Sequence, residues 1–210
     1  MTADRFFDDR QRATVAAAMA RIIPTDDTPG AREAGTIEFL DSYLAGLGRI
    51  YARPDGSGFE QLSGKRADAW QRRIDRIRAV YVAGIADLDT RSGSAFGAEF
   101  AALDPDQQDA ILRQLDPDAR AAGDAGGEAP PLQQTKAEID LSFFPLLCLH
   151  TRQGFYADPV YGGNRGRAGW DTIGFPGPVS LAEVHSGRYS TLAWFAEHQP
   201  RDDGEGEREP

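Results

Sequence analysis

Apolar side chains recur along this chain at helical spacing. The clearest run extends from Gly64 to Leu88, where Trp70, Ile74, Ile77, Tyr81, Ile85 and Leu88 are separated by steps of 4, 3, 4, 4 and 3. Those steps keep one face of an α-helix apolar. Its polar face carries Arg66, Arg72, Arg73, Arg76 and Arg78, which read either as a solvated face or as a patch that pairs with an acidic partner. A first helix is expected over about 9–23, with Val15, Met19, Ile22 and Ile23 on one stripe and Pro24 ending it. Residues 23–30 then hold turn chemistry, with Pro29 placed to open a short helical turn. A second helix starts at Thr36 and turns Ile37, Leu40, Tyr43, Leu44 and Leu47 inward, and residues 53–58 form a loop.

The second half continues the pattern. Asp104-Pro105-Asp106-Gln107 is a capping box that starts a helix reaching about Leu115. Residues 116–134 hold Ala, Asp, Gly and Pro and few large apolar groups, so a flexible loop is expected there. Thr135-Lys136-Ala137-Glu138 is a second capping box, expected to open an apolar helix through Ile139, Leu141, Phe143, Phe144, Leu146, Leu147 and Leu149, kinked at Pro145. No repeat and no alternating strand pattern is visible. The prediction is an all-α protein: one irregular helical domain over residues 1–198, with a disordered acidic tail at 199–210.

Residues 154–178 break the helical pattern. They contain seven glycines, three prolines and the aromatics Phe155, Tyr156, Tyr161, Trp170 and Phe175. A disordered loop would not hold so many large rings. The expectation is a long ordered loop near the C-terminus, whose glycines allow close backbone approach and whose aromatics anchor it to its own domain or to another chain. Phe155, Tyr156, Tyr161, Asn164, Arg165, Arg167, Trp170 and Phe175 are therefore the candidate partner-facing residues.

Composition narrows the options. The chain has 210 residues, 40% hydrophobic and 27% charged, with a formal net charge of -10. Such acidity disfavours nucleic acid and anionic membrane surfaces as partners. No apolar stretch approaches the roughly 20 residues that span a bilayer, so direct membrane insertion is not expected. Residues 1–12 show neither an apolar signal region nor a twin-arginine signal. A cytoplasmic location is therefore expected from the sequence as it stands, or a periplasmic one if a signal was removed or a partner carries the export. Cys148 is a lone cysteine, expected to be a small buried hydrophobe.

No redox centre is legible. There is no Cys-x-x-Cys-His, no Gly-x-Gly-x-x-Gly between a strand and a helix, and no histidine pair at metal-ligand spacing. Neither a catalytic residue, a cofactor site nor a metal site is expected in this chain. Gly162, Gly163 and Gly166 lack the Gly-Lys-Ser/Thr that a phosphate loop needs. Asp26 and Asp27 beside Thr28 would suit a cation or acid–base chemistry, but more often serve turns and caps. Asp158 before Pro159 reads as a turn. A stand-alone hydrolase or metal-binding enzyme using Asp26, Asp27 and His150 is the alternative function, and a generic protein-binding module is another.

The motifs themselves point further. FYADPVYGGN at 155–164, followed by GW and IGFPG, together with RIIPTDDTPGAREAG at 21–35, resembles the gluconate 2-dehydrogenase subunit 3 family. The resemblance covers about residues 5–52 and 135–178. It implies a non-catalytic small subunit that supports a large FAD-containing flavoprotein of the glucose-methanol-choline type. It also implies oxidation of a sugar or sugar acid by that partner, with a cytochrome c subunit as a possible electron acceptor. FAD is expected in the partner, not here.

Overall fold

The computed structural model describes residues 5–115, 137–178 and 181–186. The expected flexible loop at 116–134, the cap residue Thr135 and the tail at 199–210 lie outside them. The described residues form seven α-helices and no β-strand, as the apolar pattern predicts: α1 (Asp9–Ile22), α2 (Thr36–Ala45), α3 (Gly64–Phe96), α4 (Pro105–Leu115), α5 (Phe143–Tyr156), α6 (Ala168–Thr172) and α7 (Leu181–His185). The chain divides into two units. The first spans Met1–Ala52 and Phe59–Pro176 and holds α1 to α6. The second spans Arg53–Gly58 and Gly177–Pro210. It contains the 53–58 turn, closed by hydrogen bonds from the Gly56 N–H to the Arg53 carbonyl and from the Arg53 N–H to the Gly58 carbonyl, and the short α7.

Local chemistry sets the helix ends. Asp8 caps α1 by accepting from the Gln11 N–H at 2.8 Å, while Gln11 reaches back to the Asp8 N–H. The capping box at the start of α4 forms as expected: the Gln107 N–H donates to Asp104 and the Asp104 N–H to Gln107. Gly97, at φ 73°, ends α3. The guanidinium of Arg78 donates to the carbonyls of Leu44 and Ala45, satisfying the orphan acceptors at the end of α2.

In the first unit, α1, α2, α3, α4 and α5 close around one core. Val15 and Met19 from α1, Leu40 and Leu44 from α2, Ile77, Tyr81, Ile85 and Leu88 from α3, Ile111 from α4, and Leu146 and Leu147 from α5 all belong to it. Fully burying each such aliphatic chain is worth roughly 1.5–3 kcal/mol. Polar ties add direction. Arg21 on α1 forms a two-pronged pair with Asp109 on α4 at 2.8 and 3.0 Å. Buried Asp41 accepts from the Phe6 and Phe7 N–H groups and from Arg12. That ties the segment before α1 to α2.

Four expectations need correction. Helix α3 runs on past Leu88 to Phe96, because Ser92 is buried with its hydroxyl on the Leu88 carbonyl and Asp89 receives Arg10 and the Phe100 N–H. Helix α5 begins at Phe143 and not near Thr135. Glu138–Asp140 form a single 3₁₀ turn instead, and Pro145 falls in the first turn of α5. There its missing N–H costs no intrahelical bond, so no kink is required. The 154–178 segment is more helical than expected. Gly154–Tyr156 complete α5, single turns lie at Pro159–Tyr161 and Arg165–Arg167, and α6 follows. Finally, Cys148 is only partly buried.

Candidate functional site

The two sequence motifs, more than a hundred residues apart, fold against each other. The Arg165 N–H donates to the Ala34 carbonyl at 2.8 Å. Gly154, on α5, lies against Thr36 and Phe39 of α2. Gly163 and Gly169 explain themselves by distance. A Cβ on Gly163 would stand 2.1 Å from the Gly154 carbonyl oxygen, and one on Gly169 would stand 2.0 Å from the Phe155 carbonyl oxygen. The returning chain rests directly on the backbone of α5, and a side chain at either position would pry it off.

Asn164 fixes the corner between them. It adopts φ 47°, is fully buried, donates from Nδ2 to the Ala157 carbonyl and accepts from the Gly169 N–H. Asn tolerates this left-handed backbone because its side chain replaces lost backbone bonds. Trp170 is buried and donates from its indole N–H to the Tyr156 carbonyl at 2.8 Å, with Phe175 edge-on at 5.4 Å.

The eight candidate partner-facing residues therefore divide. Phe155, Asn164 and Trp170 are buried in the chain's own fold, so they anchor the segment and do not face outward. Phe175 and Arg167 are half-buried beside Trp170, the Arg167 guanidinium 5.1 Å from the ring. Tyr156 is 40% exposed, Tyr161 is half-buried, and Arg165 is exposed beside Glu38 at 4.0 Å. Trp170→Ala is expected to destabilise the isolated chain by about 3 kcal/mol, while Tyr156→Ala changes it by less than about 1 kcal/mol. Urea unfolding checks both, and the reverse order would mean that Trp170 is not a core anchor.

Tyr156 and Tyr161 look onto a groove of about 550 Å³ between α2, the first half of α3 and the 156–161 corner. Phe39, Tyr43 and Trp70 wall it, and Arg49 and Arg73 reach it. The rings pack edge to face: Tyr43 and Tyr51 both meet Trp70, at 6.5 and 5.8 Å. Arg66 lies 4.2 Å over Tyr51, and Arg73 lies 5.0 Å over Trp70.

A buried polar chain forms the floor. Glu138, only 8% exposed, pairs with Arg73. It also accepts from His150 Nε2 at 2.8 Å and from the Tyr43 hydroxyl at 3.2 Å. On the far side of the ring, His150 Nδ1 meets the Tyr81 hydroxyl at 2.9 Å. A carboxylate only accepts, so Nε2 carries the imidazole proton, and Nδ1 accepts from Tyr81. Burial pushes the His150 pKa down to about 3, and the Arg73 cation adds to the effect. Burial also holds the Tyr81 phenol well above its usual range, consistent with a donor. The arrangement is a neutral histidine between two hydrogen-bond partners, with its ring fully enclosed.

The residues of the alternative enzyme do not gather here. Asp26 is exposed and accepts from the Thr28 N–H and hydroxyl within its own turn, which lowers its pKa. Asp27 is exposed. Asp158 caps the turn at Val160. Among the described residues no group of three or more His, Cys, Asp or Glu is placed to hold a metal ion, and no helix is long and apolar enough to cross a membrane.

The family model for gluconate 2-dehydrogenase subunit 3 matches residues 9–177. That span takes in both motifs, all of α1 to α6 and the groove. The chain belongs to the gluconate 2-dehydrogenase subunit 3 family. No curated protein and no solved structure matches it. Within this family member, the motif glycines and Asn164 build the corner that carries Tyr156 and Tyr161. Glu138 escaped the sequence reading, which treated it as a local cap. Its partners Arg73 and Tyr43 are 65 and 95 positions away, and no local pattern announces such a pairing.

Proposed function

We propose that this member of the subunit family is a non-catalytic accessory chain that binds and stabilises the FAD-containing large subunit of a sugar or sugar-acid dehydrogenase. The observation that carries the reading is the groove: the family's own motifs hold exposed Tyr156 and half-buried Tyr161 beside a wall of Trp70, Tyr43 and Arg49. Aromatic and arginine side chains ordered at a surface are the groups that dominate protein interfaces. Flavin chemistry then belongs to the partner, and a cytochrome c subunit is the proposed acceptor. The cellular location follows that of the partner.

A hydrolase built on Asp26, Asp27 and His150 is not favoured. Asp26 is occupied by Thr28, and the His150 ring has no exposed surface. Mass measurement of the chain alone and mixed with an FAD-containing large subunit of a sugar dehydrogenase tests the proposal. A stable complex is expected. Two species that never associate, at micromolar concentration, would overturn it.

A further inference from the structure

The groove continues past Arg73 and Glu138 into a second lobe of about 400 Å³, bordered by Arg72, Arg76 and Ile139. The two lobes share Arg73 and Glu138. Together they are lined by the guanidiniums of Arg49, Arg72, Arg73 and Arg76 against the carboxylates of Glu138 and Asp158, on a chain whose formal net charge is -10. The excess of positive charge lies in the second lobe, beside the aromatic wall of the first.

Part of that charge is already paired, Arg73 with Glu138 and Arg76 with Asp140 at 3.9 Å, and the rest is unspent. Glu138 is already taken up by Arg73, His150 and Tyr43, and Asp158 accepts from the Val160 N–H. The Arg49 and Arg72 side chains are exposed and make no ion pair with a described residue; Arg49 only stacks over Phe59, at 5.1 Å. The Arg73 Nε–H is buried and has no acceptor among the described residues. Two exposed guanidiniums along one groove, without an ion-pair partner among the described residues, suit carboxylate acceptors from outside.

We infer that this groove seats an extended acidic segment of the large-subunit partner. Carboxylates of that segment meet Arg49 and Arg72, and an aromatic or aliphatic side chain packs against Trp70 and Tyr156. The inference rests on the accessory-subunit reading and adds where the partner docks and with what chemistry. Arg49 and Arg72 sit on the rim, so their charges govern encounter and salt dependence more than folding.

The test is binding of the flavoprotein to the full chain and to the Arg49→Glu/Arg72→Glu double variant, with Arg113→Glu on α4 as the control. The expected result is a loss of roughly 10-fold or more in affinity for the double variant and little change for the control. Affinity of the unaltered chain should also weaken steeply as salt is raised, a measurement that needs no variant. A photo-crosslinker at Tyr156 should capture a peptide rich in Asp and Glu. If the unaltered chain binds but the double variant binds equally well, or binding is indifferent to salt, or the captured peptide is basic, the groove is not the docking site although the accessory reading stands. If the isolated chain instead forms a dimer that the double variant abolishes, the occupant is a second copy and the inference fails. If the unaltered chain does not bind at all, the accessory reading itself fails.

Discussion

Replacing Gly163 by Ala is expected to cost the isolated chain about 3 kcal/mol of stability, among the largest effects of any single methyl group in this fold. The reason is the 2.1 Å that would separate the new Cβ from the Gly154 carbonyl oxygen. That oxygen belongs to the backbone of α5 and cannot swing aside as a side chain would. The segment must lift, and with it Asn164, whose two side-chain hydrogen bonds depend on the corner. For a chain of this size the loss corresponds to a fall of roughly 10 °C in melting midpoint. Gly93 supplies the contrast. It is exposed on α3 with nothing within 4 Å of the added methyl, so Gly93→Ala should stabilise by about 0.5–1 kcal/mol. Equal midpoints for the two variants would contradict the packing of residues 162–169 onto α5.

Glu138→Ala should cost about 2–3 kcal/mol. It strands the buried His150 Nε2–H, the Tyr43 hydroxyl and the Arg73 guanidinium together. The figure is kept low because Arg73 is 39% exposed and water recovers part of its loss. Glu138→Gln retains an acceptor for His150 and should lose less.

The same cluster gives stability a pH dependence. His150 is held near 3 in the fold against an ordinary value of 6.5. Between those values the unfolded chain binds a proton that the folded chain refuses. Stability from this group is therefore complete above about pH 6.5 and falls as the pH drops toward 3, by up to about 1.4 kcal/mol per pH unit. Glu138 pulls His150 the other way, but its charge is shared with Arg73. The carboxylates held below their usual values, Asp26, Glu33, Asp55 and Asp109, add their own acid loss below about pH 4.5, where the unfolded groups take up protons. The window from 6.5 to 4.5 thus isolates the histidine. Chemical unfolding across it should show a slope that His150→Gln flattens. An unchanged slope in that variant would place the origin elsewhere.

Much of the fold was legible from periodicity, because helix faces are local. The steps from Trp70 to Leu88 placed Ile74, Ile77, Tyr81, Ile85 and Leu88 on the buried side of α3. Asp104 and Gln107 announced the start of α4 through a bond three residues long. The glycine-aromatic segment was recognisable as ordered, yet its composition could not say which rings face inward. Trp170 and Phe155 are buried while Tyr156 is not, and that choice depends on how closely Gly163 and Gly169 let the chain approach α5. Glu138 shows the same limit. A capping pattern is a statement about neighbours, whereas the side chain serves Arg73, Tyr43 and His150 from three other places in the sequence. The arginine face of α3 also proved divided: Arg78 caps α2, Arg73 holds Glu138, Arg76 donates to the Ile139 carbonyl, and Arg72 stays open.

The central claim is that this chain supports a flavoprotein and performs no chemistry of its own. The most direct measurement is bound flavin per large-subunit polypeptide, by absorbance, after expression with and without this chain. The account predicts a soluble, flavin-loaded, active large subunit when the two are made together, and a several-fold loss of loaded protein when this chain is omitted. A large subunit that is equally soluble, equally loaded with flavin and equally active alone would contradict it.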